Sequence, residues 1–136
     1  MARVYVERQD LPAHLLRLLD EQRAAVECTP PMDILETATG LEIRLDVPGV
    51  SAQQIEILFA DGTLLITGQK LPHTCEHADA GFHIAERSFG RFARAIRVEG
   101  AFDSGRAAAS LTAGELRVVL PRIDERRGTQ IRIPIR

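Results

Sequence analysis

The chain has 136 residues, of which 45% are hydrophobic and 26% charged, with a formal net charge of −2. That is enough for one domain whose core needs neither disulfide nor metal, and the near balance of charge excludes nucleic acid as the main partner, since phosphate binding demands a basic surplus. The two cysteines, Cys28 and Cys75, are too few and too separated for a secreted disulfide framework. No apolar run approaches a membrane span, so a cytoplasmic location and no membrane partner are expected.

Residues 11 to 26 carry a helical pattern, with Leu11, Leu15, Leu18 and Leu19 at helix spacing. Asp10 is a candidate N-cap, and Pro12 falls in the first turn, where a missing N–H is harmless. Thr29-Pro30-Pro31 ends this segment. The period then changes to two. Leu41, Ile43, Leu45 and Val47 alternate with Glu42, Arg44 and Asp46 as a half-buried strand, closed by Pro48-Gly49. Ile55, Ile57 and Phe59 repeat the alternation up to Asp61-Gly62, a hairpin signal. Leu64 to Thr67 follows as a strand expected to stop at Gly68, and residues 70 to 81 read as a loop.

A further extended stretch is expected from Phe82 to Val98, interrupted at Gly90. Ala109 and Leu111 alternate into Ala113-Gly114, and Leu116, Val118 and Leu120 alternate up to Pro121. Alanine has no easy access to positive φ, so a bulged turn is expected at Ala113-Gly114 rather than a primed two-residue one. Short alternating strands with turn punctuation predict an all-β fold, an antiparallel immunoglobulin-like β-sandwich. The predicted division is an N-terminal arm over 1–29, partly helical, a sandwich over 30–122, and a flexible tail over 123–136 with the apolar tip Ile131 to Ile135.

Taken in order, these residues resemble the α-crystallin domain of the small heat-shock proteins, bacterial type. The closing run Ala109-Ser110-Leu111-Thr112-Ala113-Gly114-Glu115-Leu116, continuing to Pro121, is similar to the family's last hairpin. Asp46-Val47-Pro48-Gly49 matches its Asp-x-Pro-Gly turn, and Glu86 to Arg94 matches the bacterial branch. Ile133-Pro134-Ile135 matches the C-terminal Ile-x-Ile anchor, with Ile131/Ile133 left open as the alternative pair.

The resemblance implies an ATP-independent chaperone that forms dimers and larger oligomers and holds unfolding client proteins. It implies that Ile133, Pro134 and Ile135 of one subunit dock in an edge groove of another, formed by the strand holding Ile55 and Ile57 and the strand near Ser110. It implies a dimer in which the loop over 70–81 crosses to the partner, with Arg94, Cys75 and Phe82 at the contact. Client contact would come from Leu11, Leu15, Leu18 and Leu19, whose other reading is a helix packed within its own oligomer. Burying Ile133 and Ile135 contributes about 1.5–3 kcal/mol each, against an association cost of at least about 4 kcal/mol. One tail therefore binds weakly and several hold an assembly together.

An arm with Tyr5 but no Phe or Trp points instead to a dimeric interaction or co-chaperone module without strong holding. His73-Thr74-Cys75-Glu76-His77 offers metal-type donors, yet a second paired cluster is missing, and a polar crossover loop is the better reading. No orienting group or oxyanion site accompanies Cys75, and no Gly-rich phosphate loop is present, so neither enzyme activity nor a cofactor is expected.

Overall fold

The structure, a computed structural model, describes residues 2–6, 27–72 and 77–123. Its eight strands are β1 (Arg3–Val6), β2 (Met32–Glu36), β3 (Gly40–Asp46), β4 (Ile55–Ala60), β5 (Thr63–Lys70), β6 (Gly90–Glu99), β7 (Ala108–Thr112) and β8 (Glu115–Pro121). Alternation in β3 sends Leu41, Ile43 and Leu45 to one face, each no more than 1% exposed. Antiparallel pairing with β8 sets Leu41 opposite Leu120, Ile43 opposite Val118 and Leu45 opposite Leu116. The apolar residues of both strands thus share a face. A second layer supplies Leu64 and Ile66 from β5 and Phe92, Ile96 and Val98 from β6, and the core lies between the two. The sheets are ordered β1-β6-β5-β4 and β2-β3-β8-β7, all antiparallel, as the alternation predicts.

Both tight hairpins are primed turns. Asp61 (φ 50°) and Gly62 (φ 74°) close β4 onto β5, with Ala60 opposite Thr63. Ala113 (φ 52°) and Gly114 (φ 78°) close β7 onto β8, with Thr112 opposite Glu115. The bulge expected at Ala113 is absent. An extra residue there would shift β8 by one position and turn Leu116, Val118 and Leu120 to the outside. The Gly114 carbonyl also accepts from the Val47 N–H at 2.7 Å, which fixes the turn against the Pro48-Gly49 corner. Register outweighs the local penalty of about 1–2 kcal/mol for a left-handed alanine.

Two further expectations change. The strand expected to end at Gly68 continues to Lys70, because Gly68 lies under the Phe92 ring, where any Cβ would collide with it. The extended stretch expected from Phe82 becomes a strand only at Gly90. Residues 82–89 pair with no described strand, and Phe82 and Ile84 are left 88% and 71% exposed.

Sequence patterning also missed β1 and β2. Four residues, Arg3–Val6, line up on β6 with Val4 opposite Val98, and the Ala2 N–H donates to Glu36 Oε1 at 2.8 Å across to the other sheet. Strand β2 pairs with β3, Ile34 facing Ile43. The predicted helix over 11–26, residues 73–76 and the tail beyond Ile123 lie outside the described residues. Among the described residues no helix is long and apolar enough to cross a membrane.

The strain at Ala113 predicts that Ala113→Asn stabilises the domain by about 0.5–1 kcal/mol, since asparagine tolerates the left-handed region. Urea denaturation checks this: the midpoint should rise at constant m-value, and an unchanged or lower midpoint refutes the strain account.

Candidate anchoring groove and dimer face

A sandwich of two open sheets has two sides where the edge strands do not pair. On one side β4 and β7 face each other. The turn Ala52–Gln54, held by the Ser51 N–H on Gln54 Oε1 at 2.9 Å, delivers the chain into β4. From there Ile55 and Ile57 point inward at half burial. Across the gap, Leu111 of β7 packs against the core, Ala109 lies two residues before it, and Leu116 forms part of the floor. Ala52 and Ala109 are small, so the two edges do not fill the space between them. The result is a groove of about 170 Å³ lined by Ala52, Ile55, Ile57, Ala109, Ser110, Leu111 and Leu116. Ile55, Ile57 and Ser110, named from the sequence, are brought together here, with Ser110 at the exposed rim. Ala52, Ala109, Leu111 and Leu116 were missed, although Ala109, Leu111 and Leu116 alternate visibly in the sequence.

Two larger clefts are chemically less suited to an apolar ligand. One of about 340 Å³ is lined mainly by polar residues, including Gln53, Gln54, Glu56, Gln69 and Arg91. The other, about 360 Å³, runs past Cys28, Pro30, Asp46, Lys70 and Phe92. The Cys28 thiol lies 3.6 Å from the Gly90 carbonyl, and burial pushes its pKa up, with Lys70 partly opposing. A thiol so placed stays protonated at neutral pH, which makes it a poor nucleophile.

The dimer-face residues are scattered. Arg94 shares the inward face of β6 with Phe92 and Ile96, and its Nη1 donates to the Pro30 carbonyl at 2.9 Å. It ties β6 to the segment that leads into β2. Phe82 stands in solvent within the unpaired 82–89 stretch. Cys75, the leucines at 11, 15, 18 and 19, and Ile133, Pro134 and Ile135 lie outside the described residues.

The outer face of β3 and β8 carries an ionic cluster that alternation alone does not reveal. Glu42, only 8% exposed, accepts from Arg117 Nε and from Arg44 Nη2 at 3.1 Å, and Arg44 also lies 3.8 Å from Glu115. The hydrogen bond from Arg117 holds the Glu42 carboxyl below its ordinary pKa, with Arg44 adding to the effect and partial burial opposing it.

A two-sheet antiparallel sandwich with an apolar groove between unpaired edges, in a chain that also carries Ile133-Pro134-Ile135, defines the α-crystallin class of domain. The profile of the Hsp20/alpha crystallin family matches residues 33–136, and the chain belongs to that family, the small heat shock proteins, which are stress-response chaperones rather than enzymes. It is 31% identical over 93 residues to the chloroplastic heat shock 22 kDa protein of Chlamydomonas reinhardtii, covering 68% of this chain and 59% of that protein. It is 28% identical over 105 residues to small heat shock protein C4 of Rickettsia felis, covering 77% and 64%. The aligned stretch thus spans less than two thirds of either relative. Among solved structures, heat shock protein 16.0 from Schizosaccharomyces pombe superposes with a TM-score of 0.67 at 28% identity, over 81% of this chain and 100% of that one. A small heat-shock protein from Xylella fastidiosa superposes with a TM-score of 0.68 at 25% identity, over 81% and 98%.

Because the folded-state pKa of Glu42 lies below its unfolded value, ionised Glu42 adds stability above the unfolded pKa, and the gain is lost as pH falls through the folded one. Glu42→Gln should therefore lower the urea midpoint at pH 7 and flatten its fall between about pH 5 and 3, the window just around the ordinary carboxylate range. Parallel curves for the two proteins across that window would remove Glu42 from the acid response.

Proposed function

We propose that this chain is an ATP-independent holdase that assembles from dimers into larger oligomers and binds unfolding proteins before they aggregate. The observation that carries this reading is the apolar groove between β4 and β7 in a chain that also contains Ile133-Pro134-Ile135. Proline between the two isoleucines keeps such a segment extended and removes one N–H, so it fills the groove without extending a sheet. Two buried isoleucines contribute about 3–6 kcal/mol together, which is comparable to the association cost of about 4 kcal/mol or more. Each contact then opens readily, several together hold, and subunits exchange.

The exposed stretch around Phe82 and Ile84 supports a dimer in which the segment beyond residue 70 crosses to the partner. An extended stretch that pairs with no strand among the described residues gains a neighbour there. Arg94 and Cys75 belong to the same proposed contact region. The partners on this reading are further copies of the chain and unfolding clients, with no nucleic acid, membrane or cofactor, in a cytoplasmic setting. The aromatic-poor segment 1–29 favours a second reading, a dimeric interaction module without strong holding.

Replacing Ile133 and Ile135 with Ala should reduce the oligomer to dimers by light-scattering chromatography while the far-UV spectrum is kept. Ala109→Leu, which fills the groove from its wall, should act in the same direction. Unchanged size in both refutes the anchor. Holding is tested separately by scattering from a heat-aggregating client without nucleotide. Suppression near equimolar subunits is expected, and scattering equal to the buffer control rejects holding in favour of the module.

A further inference from the structure

The chain leaves the sheet at Lys70 and rejoins it at Gly90, and register sets these two residues opposite each other at the end of the β5–β6 ladder. The excursion between them therefore starts and finishes at one corner. Over 82–89 it pairs with no described strand, so within one copy the corner sets where it points. Its two phenylalanines differ. Phe82 is 88% exposed, whereas Phe89, next to Gly90, is half-buried. Two cations lie over the Phe89 ring, with Lys70 Nζ 5.5 Å and Arg87 Cζ 5.0 Å from its centroid. Lys70 belongs to the outgoing end and Arg87 to the returning end, so one ring joins the two.

The same corner is fixed from its other sides. Gly90 has a φ of 108°, which favours glycine, and a Cβ there would meet the Glu27 side chain. The Glu27 and Cys28 N–H groups both donate to the Arg91 carbonyl, at 2.8 and 3.2 Å. Attraction between a cation and a ring face is electrostatic and vanishes with the charge. Small changes at this base matter because the lever is long. Seven extended residues carry the chain about 23 Å from Phe89 to Phe82, so a change of about 10° moves Phe82 by about 4 Å, close to one strand spacing. Lys70 is also the only lysine among the 17 basic residues, and hence the only side-chain amine. It lines the cleft of about 360 Å³ together with Ser88 and Phe92, where a small reagent can reach it.

We propose that Lys70 and Arg87 hold Phe89 as a latch that aims residues 82–89, and that acylation of Lys70 by an acyl phosphate opens it. The ammonium first gives one proton to water. The free nitrogen then attacks the acyl carbon, the carbon–oxygen bond to phosphate breaks, and phosphate leaves with the electron pair and a second proton. The resulting amide has no charge to set over the ring. The latch follows from the fold alone; its use, aiming the segment at a second copy, rests on the dimer reading given above.

Acetyl phosphate treatment of the full-length chain, followed by hydrogen exchange read by mass spectrometry over 85–90, tests this. Acetylation should speed exchange there about two- to fivefold, the range expected for one exposed cation–ring contact. Untreated Lys70→Gln should match the acetylated protein. Lys70→Arg keeps a cation that the reagent does not neutralise, so its exchange should equal that of the unmodified chain before and after treatment. In Phe89→Ala exchange should be fast already and indifferent to treatment. Failure of Lys70 to acetylate, or unchanged exchange once it has, overturns the proposal. An equal response in Lys70→Arg overturns it also, since another group would then be the one modified. If Phe89→Ala fails to fold, the Lys70 series, which leaves the core intact, decides alone. Light scattering on the same samples separates the two readings. A monomer with acetylation-sensitive exchange keeps the latch and removes the dimer, and a dimer without that sensitivity does the reverse.

Discussion

Two stacked open sheets leave two unclosed sides, and most of what distinguishes this chain is how each side is treated. Backbone groups and apolar residues at an unpaired edge invite other chains to add to it. On the side between β1 and β2 the molecule closes itself. Glu36 takes the Ala2 N–H at 2.8 Å and Arg122 at 3.4 Å, so one carboxylate bridges the two sheets. On the side between β4 and β7 no such bridge exists among the described residues, and small side chains hold the edges apart as an apolar groove. The first side closes the domain, and the second leaves the groove through which association is proposed.

The interior was legible in the sequence because its signal is local. Leu41, Ile43 and Leu45, and likewise Leu116, Val118 and Leu120, announce their shared face by period alone. Asp61-Gly62 announced its hairpin for the same reason. The misreadings fall where a distant partner decides. Gly68 reads as a stop until the Phe92 ring, 24 positions later, is placed over it. Ala113 reads as unfit for a primed turn until the facing of β8 is known. Arg3–Val6 is too short to carry a pattern, and β6 gives it a role. Residues 82–89 show the opposite error, an extended pattern with no neighbouring strand among the described residues.

The groove was legible only in part, for a related reason. Ile55 and Ile57 stand more than 50 positions from Ala109 and Leu111, and no spacing rule joins them. The family resemblance supplied the pairing of Ile55 and Ile57 with Ser110. What it did not supply was the role of Ala52 and Ala109, whose smallness makes the space. Nor did it supply the local partner of Arg94, the Pro30 carbonyl, which serves this copy's own fold whatever else the residue contacts. The Glu42 cluster was equally hidden, because alternating charges read as an ordinary wet face until Arg117 is set beside them by the β3–β8 register.

These features separate the forces by strength. The core between the sheets is one continuous apolar cluster, and single deletions within such a core cost several kcal/mol, typically about 2–5 for leucine or isoleucine to alanine. The groove between β4 and β7 is shallow by comparison, about 170 Å³. On the proposed holdase reading, contacts of that size open and close while the sandwich beneath stays folded. A protein that must expose apolar surface on demand, yet keep its own chain intact, requires this ordering of energies. Strengthening the groove contact toward core values would lock the assembly, and weakening the core toward groove values would make the protein a client of its own kind.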